Sequence, residues 1–397
     1  MHNVDYSEIC YRNAMVSQVF KTQNDNARCK PGMNGRFPMA TTADYGLGDQ
    51  MFPRGWFMIA AAAELEGTTP LAVRFFGRDR VLYRGESGQV YLVDAYCPHM
   101  GAHLAKNETS FVIRDNEHVQ GESIRCPYHG WRFGPDGKCN QIPYSPQKIP
   151  AAAKLENWPV IERAGCIWMW HDPEGLEPEY ELPPFEEYYQ PHWVKWELDR
   201  LGELASHPVE ILDNMADRAH FEPVHGNDAV DVFENDFDGH RVVQRLRAGH
   251  RTLQGDAPLE TDTWYTGPGI LQSRMSGQFP AIIMIAHTPV DDGVVKVWHA
   301  LLVKVPNAEP TADDVAMARA YQAAACAAFA QDFEIWSNKR PCVNPMAVQG
   351  DGPIGKLRIW YRQFYNSRAR AEEFQKRVNG THVTRGTLSA PFEQKVA

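Results

Sequence analysis

Two short segments, Cys97-Pro98-His99 and Cys126-Pro127-Tyr128-His129, place a thiol and an imidazole close together twice in a 397-residue chain. A glycine follows each pair, Gly101 and Gly130. Two thiolates and two imidazoles suit a [2Fe–2S] cluster in which one iron takes Cys97 and Cys126 and the other takes His99 and His129. Histidine ligation of one iron raises the reduction potential above that of an all-cysteine cluster. The rival chemistry is a structural zinc site, because two cysteines and two histidines are also a zinc ligand set. Zinc sites commonly pair like with like along the chain, whereas each segment here mixes the two ligand types, as two similar loops clasping one object would. His103 has the wrong spacing and reads as structural. His118, beside the polar stretch Arg114-Asp115-Asn116-Glu117, reads as a solvated loop residue, and Trp131 reads as a ring that limits solvent access to the cluster.

A second concentration runs from Asp213 to His225, Asp-Asn-Met-Ala-Asp-Arg-Ala-His-Phe-Glu-Pro-Val-His. Asp217 and His220 are three apart and would be neighbours on one helix face. His220 and His225 are five apart and would diverge on a regular helix, so Pro223 is expected to break the helix and let His225 turn back. Two imidazoles and a carboxylate that leave open positions are the ligand set of non-haem Fe(II) oxygenases. Asp217, Glu222, Asp332 and Glu334 are the candidate carboxylates, and Asp217 equally suits a supporting partner to a ligand histidine. The alternative for this segment is a helix end with capping and core histidines.

The elements that must carry these residues change texture along the chain. Residues 1–50 are polar and read as an extension, without the apolar core of a signal peptide. Residues 51–172 hold short β-type runs at Leu71–Phe76, Val81–Tyr83, Val90–Val93, Val160–Ile161 and Cys166–Trp170, separated by glycine turns, with both Cys–His pairs in loops after strands. Proline and glutamate between Pro173 and Pro184 read as a linker into a second domain, residues 173–397. There Ser206 and Pro208 open a helix expected to run to about Phe221. Strands follow over 282–286 and 294–305, and Thr311 caps a long alanine-rich helix to about Trp336, with Asp313 and Asp314 in its first turn. Strands between long helices imply an α+β fold, with helices over an antiparallel sheet. The apolar residues Ile270, Leu271, Met275, Phe279, Ile282, Ile283 and Met284 read mainly as core.

Forty basic against fifty acidic residues give a net charge of −10, and no basic run supports binding to nucleic acid or an anionic membrane. No run of about eighteen apolar residues suggests a membrane span. Eight cysteines in a chain this long do not make a disulfide scaffold, so a cytoplasmic protein with reduced thiols is expected.

With both motifs in order, C-P-H-M-G-A-H-L with C-P-Y-H-G-W and then N-M-A-D-R-A-H-F-E-P-V-H, the chain resembles the catalytic α subunits of Rieske non-haem iron oxygenases over roughly residues 50–370. The resemblance implies a [2Fe–2S] cluster on Cys97, His99, Cys126 and His129 and a mononuclear Fe(II) on His220, His225 and Asp332. It implies an all-β Rieske domain followed by a helix-grip catalytic domain. Asp217 matches the aspartate that links a neighbouring subunit's cluster histidine to an iron-bound histidine, and Asn214 matches a polar supporting position; a homotrimer follows from that path. O2 would be the co-substrate, with electrons from an NAD(P)H-dependent ferredoxin reductase, alone or through a ferredoxin. The stretch Thr109–Glu122 is longer than the family pattern and is expected to be a surface loop. Q-D-F-E-I-W-S-N-K and W-Y-R-Q-F-Y (Trp360–Tyr365) are similar to the steroid-acting branch, implying hydroxylation of a steroid or similar polycyclic substrate in the manner of 3-ketosteroid 9α-hydroxylases. The alternatives are a sterol desaturase, an aromatic-ring hydroxylase or O-demethylase of the same family. A Rieske electron carrier without catalysis would need only residues 50–172.

Overall fold

A computed structural model describes residues 39–65, 67–252, 255–276 and 279–385. The described residues form two compact units, one within 54–185 with 288–291 and the other of the remaining described residues. Among the described residues no helix is long and apolar enough to cross a membrane.

The first unit is built from short antiparallel strands in three sheets. One orders β1 (Gly55–Ala61), β11 (Cys166–His171) and β10 (Val160–Arg163). A second runs β2 (Leu71–Phe75), β3 (Arg78–Arg84), β4 (Val90–Asp94), β9 (Asn157–Trp158). The third runs β5 (Val119–Gln120), β6 (Ser123–Arg125), β7 (Arg132–Phe133), β8 (Cys139–Gln141). The first Cys–His loop follows β4 and the second joins β6 to β7. Both cysteines lie in one apolar core with Val81, Val93, Leu104, Ile124 and Phe133. Each such buried side chain contributes about 2 kcal/mol by leaving water, so the loops hang from a rigid base.

Three sequence expectations need correction here. Residues 173–184 are a strap anchored on this unit by the buried Tyr180 and Leu182 rather than a linker, and the boundary between units falls at 185/186. Trp56 Nε1 donates to the Tyr180 carbonyl at 2.9 Å, Trp170 Nε1 to that of Leu176 at 3.0 Å, and Arg163 to that of Leu182 at 2.7 Å. His118 is not solvated. It is buried, with Nε2 2.7 Å from the Leu104 carbonyl, and burial holds its pKa below the ordinary value against that hydrogen bond. The longer stretch carrying it is only partly a surface loop. A short helix, Phe111–Arg114, is capped by Ser110 and leaves Phe111 exposed, whereas His118 ties the stretch to the first Cys–His loop.

The second unit is a nine-stranded sheet covered by helices, the α+β arrangement expected. Its order is β12 (Trp193–Val194), β19 (Val294–Lys304), β18 (Ala281–Asp291), β17 (Ile270–Ser276), β16 (Gly255–Thr266), β15 (Arg241–Thr252), β14 (Asn227–Asp238) and β20 (Gly380–Val383). A further strand, β13 (Asp199–Leu204), pairs antiparallel with β19. The long helix Ala312–Asn338 starts at Thr311, whose hydroxyl accepts from Asp314 N while the Asp314 carboxylate accepts from Thr311 N. Such a reciprocal cap is worth about 1 kcal/mol. Cys326, Phe333 and Trp336 of this helix pack on Val295, Val297 and Ile285 of the sheet.

Residues 39–53 belong to this unit rather than to a free extension, and residues 1–38 lie outside the described residues. Gln50 N donates to the Tyr365 carbonyl at 3.0 Å, and Thr42 N to Asp292 Oδ1 at 2.8 Å. Leu47 is buried there.

The helix expected from Ser206 to Phe221 is interrupted. Its cap is His207, whose Nδ1 accepts from Val209 N at 3.1 Å, and its α-helical part is Pro208–Leu212, followed by a 3-10 turn, Asp213–Ala216. Asp217 is extended (φ −94°, ψ 103°), and a new short helix runs Phe221–His225. Pro223 lies within the first turn of this short helix, where its missing N–H needs no partner. The break therefore comes at Asp217.

Gly352 wedges against that break. Its φ is +120°, and a Cβ there would lie 1.9 Å from the Ala216 carbonyl oxygen, while Arg218 N donates to the Asp351 carbonyl at 2.6 Å. Gly352→Ala is expected to cost about 2 kcal/mol or more, read as a lower urea midpoint; an unchanged midpoint contradicts the close approach.

His207 and His287 are held neutral by burial, each with its pKa pushed from 6.5 down to about 3, Arg358 adding to the effect at His207. Unfolded histidines take up protons below about 6.5 that these two refuse until about 3, so stability rises with pH across that window. Acidification from 6.5 should therefore remove about 1.4 kcal/mol per pH unit for each ring. Urea midpoints that stay level between pH 6.5 and 5 would contradict this, and His287→Asn should shallow the slope.

Candidate functional site

The two Cys–His loops repeat one backbone device. Cys97 N donates to the Ala102 carbonyl and Gly101 N to that of Cys97, both at 2.9 Å. Cys126 N donates to the Trp131 carbonyl at 2.8 Å and Gly130 N to that of Cys126 at 3.0 Å. Gly101 and Gly130 adopt φ of +73° and +72°, the left-handed region that closes each turn without a Cβ penalty. The result is two buried thiols that hydrogen-bond each other and two half-buried imidazoles, His99 and His129, with ring centroids 4.6 Å apart. Sharing a hydrogen bond favours one thiolate in the pair. Within this tightly coupled pair the Cys126 pKa is lowered by its contact with Cys97, against burial, and that of Cys97 is raised by the same contact together with burial. A pair that sheds its first proton this readily is suited to metal ligation.

Trp131 does sit beside this set, its ring stacked on His99 at 4.4 Å and 10°. Its Nε1 donates to the hydroxyl of the exposed Tyr144 at 2.8 Å, and the exposed Tyr128 ring lies 3.8 Å from that of His129. Neither tyrosine was singled out in the sequence; their adjacency depends on how the loops fold. His103 is structural, its Nδ1 accepting from Ala105 N and Lys106 N at 3.1 and 3.2 Å.

In the second unit His220, His225 and Asp332 converge, with one ligand atom from each lying within 4.8 Å of the others. His225 Nε2 is 3.3 Å from Asp332 Oδ2, and the two imidazole centroids are 5.3 Å apart. The two histidines meet as expected, but not through a break at Pro223. His220 precedes the short helix and His225 ends it, and helical side chains lean toward the N-terminus, which brings His225 back toward His220. Gly226, at φ +69°, ends the helix and releases the chain into β14. Of the four candidate carboxylates, Asp332 joins the set, Glu222 and Glu334 are exposed, and Asp217 stands behind His220.

Each histidine is oriented through its Nδ1. His220 Nδ1 donates to the Asp217 main-chain carbonyl at 2.7 Å, and the Asp217 carboxylate lies 3.6 Å away. His225 Nδ1 donates to Gln331 Oε1 at 3.1 Å. Turning the Gln331 amide would let its nitrogen donate to the Val224 and Ala328 carbonyls, but also point it at Nδ1. The oxygen-inward orientation keeps the proton on Nδ1 and leaves the Nε2 lone pair toward Asp332. Burial opposes the charged form of His225, but the Asp332 hydrogen bond and charge leave its pKa raised. Asn214 lies in the 3-10 turn, where its carbonyl accepts from Asp217 N at 3.3 Å.

Gln331 was missed in the sequence, where nothing in its local spacing marks it. Gln331→Leu is expected to lower metal affinity at the His220–His225–Asp332 set about 10- to 100-fold, measured by chelator competition; unchanged affinity would show that His225 needs no such support.

Both donor sets fit the metals expected from the sequence: two thiolates with two imidazoles in the first unit, and two Nε2 atoms with a carboxylate in the second. The 3-Ketosteroid 9alpha-hydroxylase C-terminal domain family matches residues 169–365, and the Rieske [2Fe-2S] domain family matches residues 55–159. A probable 3-ketosteroid-9-alpha-monooxygenase oxygenase component of Rhodococcus rhodochrous is 33% identical over 341 residues, covering 82% of each chain. The cholesterol 7-desaturase of Caenorhabditis elegans is 29% identical over 352 residues, covering 79% of this chain and 77% of that one. Among solved structures, Pseudomonas putida CBB5 NdmA superposes with a TM-score of 0.63 at 19% identity, covering 87% of this chain and 98% of that one. Apo dicamba monooxygenase gives a TM-score of 0.60 at 16% identity, covering 83% and 98%. The match to a second domain excludes a stand-alone electron carrier, and the Rieske match decides against zinc on the Cys–His loops. The chain belongs to the family of Rieske oxygenase components that includes the 3-ketosteroid-9-alpha-monooxygenases, oxidoreductases that incorporate O2 with a [2Fe–2S] cluster and a mononuclear iron.

Proposed function

We propose that this chain is the terminal oxygenase of a steroid-hydroxylating system, acting on a 3-ketosteroid or similar polycyclic substrate. The convergence of His220, His225 and Asp332 is the observation that carries the reading. The C-terminal family match and the names of the relatives support the substrate class. When bound, the cluster stores one electron at raised potential, and an iron with open positions activates O2 toward a C–H bond.

In this reading Cys97, His99, Cys126 and His129 hold the cluster, and His220, His225 and Asp332 hold the iron. The Asp217 carbonyl and Gln331 fix the protons on the Nδ1 atoms and so aim both Nε2 atoms. The Trp131 ring over His99 keeps water off the cluster's histidine edge. The Asp217 carboxylate serves as the link from His129 of a neighbouring subunit to His220, in a homotrimer, and Asn214 supports it. The electron donor is an NAD(P)H-dependent reductase, alone or with a ferredoxin, in the cytoplasm. Six described cysteines without a disulfide agree with that compartment.

The test is aerobic turnover of a 3-ketosteroid under 18O2 with NAD(P)H and a surrogate reductase. A hydroxylated product carrying one 18O supports the proposal, and no oxidised product from any steroid overturns it. A product that has lost two hydrogens without gaining oxygen favours desaturation, the reading suggested by the cholesterol 7-desaturase relative.

A further inference from the structure

We propose that His299, held by Asp199, is the polar anchor that recognises an oxygen substituent on the organic substrate; this rests on the steroid-oxygenase reading and adds to it the residue that positions the ligand. Val295, Val297, Leu301 and Val303 of β19 pack toward the long helix, and strand alternation puts His299 on the same face. The ring is completely buried. Its Nδ1 is 2.9 Å from Asp199 Oδ2 across the β13–β19 pair, in which Asp199 and His299 are directly opposed. The same carboxylate oxygen accepts from Gln322 Nε2 at 2.8 Å, and the Cys326 thiol lies within 4.8 Å of the set.

These contacts give the two ring nitrogens different roles. A carboxylate on Nδ1 keeps a proton there whether the ring is neutral or charged. Nε2 is buried and has no hydrogen-bond partner. Nearly all buried polar groups in folded proteins are paired, so an orphan of this kind calls for a partner that arrives later.

A metal ion is the other occupant to consider, since Asp199, His299 and Cys326 also bring one ligand atom each within 4.8 Å. The carboxylate is already engaged by His299 and Gln322, and burial, with the Asp199 charge, pushes the Cys326 thiol up to about 12 and so keeps it protonated. The atom left without a partner is Nε2, on the opposite edge of the ring from Asp199.

Apart from Asp199, Gln322 and Cys326, the ring's neighbours are hydrocarbon. Phe329 lies at 24° to it with centroids 6.3 Å apart and packs on Phe333 and Trp336 at 5.6 and 5.8 Å. Ile283 and Ile285 belong to the same apolar cluster. Asp332 is one helical turn beyond Phe329 and is the carboxylate of the candidate iron set. One unpaired polar atom among apolar side chains, on the sheet face that packs against the helix carrying Asp332, suits a ligand that is mostly hydrocarbon with a single oxygen at the matching place. A neutral ring accepts from a hydroxyl, and a protonated ring beside Asp199 donates to a ketone; either pairs the orphan nitrogen.

The test measures dissociation constants by equilibrium dialysis on the metal-loaded full chain. The probes are a 3-ketosteroid, the matching 3-hydroxysteroid and the steroid hydrocarbon without oxygen, with 9-phenanthrol and phenanthrene as a second matched pair. His299→Asn keeps a donor near Asp199 but lacks an atom at Nε2, whereas His299→Gln restores a polar group there. His299→Asn should weaken the oxygenated probes about 10- to 100-fold, leave the hydrocarbons within about twofold, and be partly rescued by His299→Gln. Asp199→Asn, which loosens the ring without removing it, should give the same selectivity loss and serves if His299→Asn does not fold. Equal losses on both members of a pair, or none, overturn the anchor and leave the steroid reading standing. Binding of phenanthrol with the predicted His299 dependence, but of no steroid, overturns the steroid reading and keeps the anchor. A wild-type chain that binds no probe overturns the anchor.

Discussion

Asp217→Ala leaves both metal centres filled and lowers turnover about 100-fold or more. The expectation comes from how Asp217 divides its contacts. Its main-chain carbonyl, which any residue supplies, takes the Nδ1 proton of His220 at 2.7 Å, so the ligand ring keeps its aim in the variant. Its carboxylate does two other things. Oδ1 accepts from Ala219 N at 2.9 Å and steadies the turn, while Oδ2 stands 3.6 Å from His220 Nδ1 as a negative charge behind the ligand. Alanine removes both, whereas Asp217→Asn keeps the acceptor for Ala219 and removes only the charge. If the carboxylate is the link between His220 and a neighbouring subunit's His129, both variants should hold full iron and cluster yet stall. Reduced cluster in either variant would then reoxidise slowly when O2 and substrate are added, measured by stopped-flow absorbance. A fully active Asp217→Asn would reject the linking role, and loss of iron from either variant would recast Asp217 as a support for the metal.

Asp332→Ala has the opposite signature: the mononuclear iron is lost and the cluster stays. Asp332 is the carboxylate of a set whose other members are imidazoles, and it is 6% exposed. Removing one partner from a buried charged set costs on the order of 3–5 kcal/mol, about a thousand-fold in affinity. Metal analysis should fall to the cluster iron alone while the visible spectrum of the cluster is unchanged, because Asp332 and the Cys–His loops lie in different units. Turnover should fall at least as far as occupancy. Retention of the third iron would send the assignment back to Asp217, the remaining acidic group near His220. The two variants thus separate holding the metal from feeding it.

The chemistry of both centres was legible in the sequence because ligand type is a local property. A thiol and an imidazole two or three residues apart, with a glycine to close the turn, need little beyond their own loop, and the backbone bonds around Cys97 and Cys126 are all within six residues. The Thr311–Asp314 cap is local in the same way and began the long helix where expected. Several strands of the first unit were visible from their β-branched and aromatic residues, but of the nine strands in the second unit only β18 and β19 were, because β14, β15 and β16 carry many charged and polar residues.

What the sequence left open was convergence. Spacing alone left four carboxylates open; the family resemblance pointed to Asp332, and the packing of the long helix on the sheet is what brings that residue, far along the chain from His225, to the two histidines. Pro223 looked like the helix break because a proline is a strong local signal. The break fell instead at Asp217, where Gly352 and Asp351 approach from a distant segment. His118 looked solvated among charged neighbours until a hairpin folded it under Leu104. The pairing of Asp199 with His299 depends on the register of β13 against β19, which neither segment specifies alone. Ligand identity is a matter of side-chain chemistry and short spacing, and sequence carries it. Which groups meet is decided by strand register and helix packing, and those follow from burying apolar faces across the whole unit.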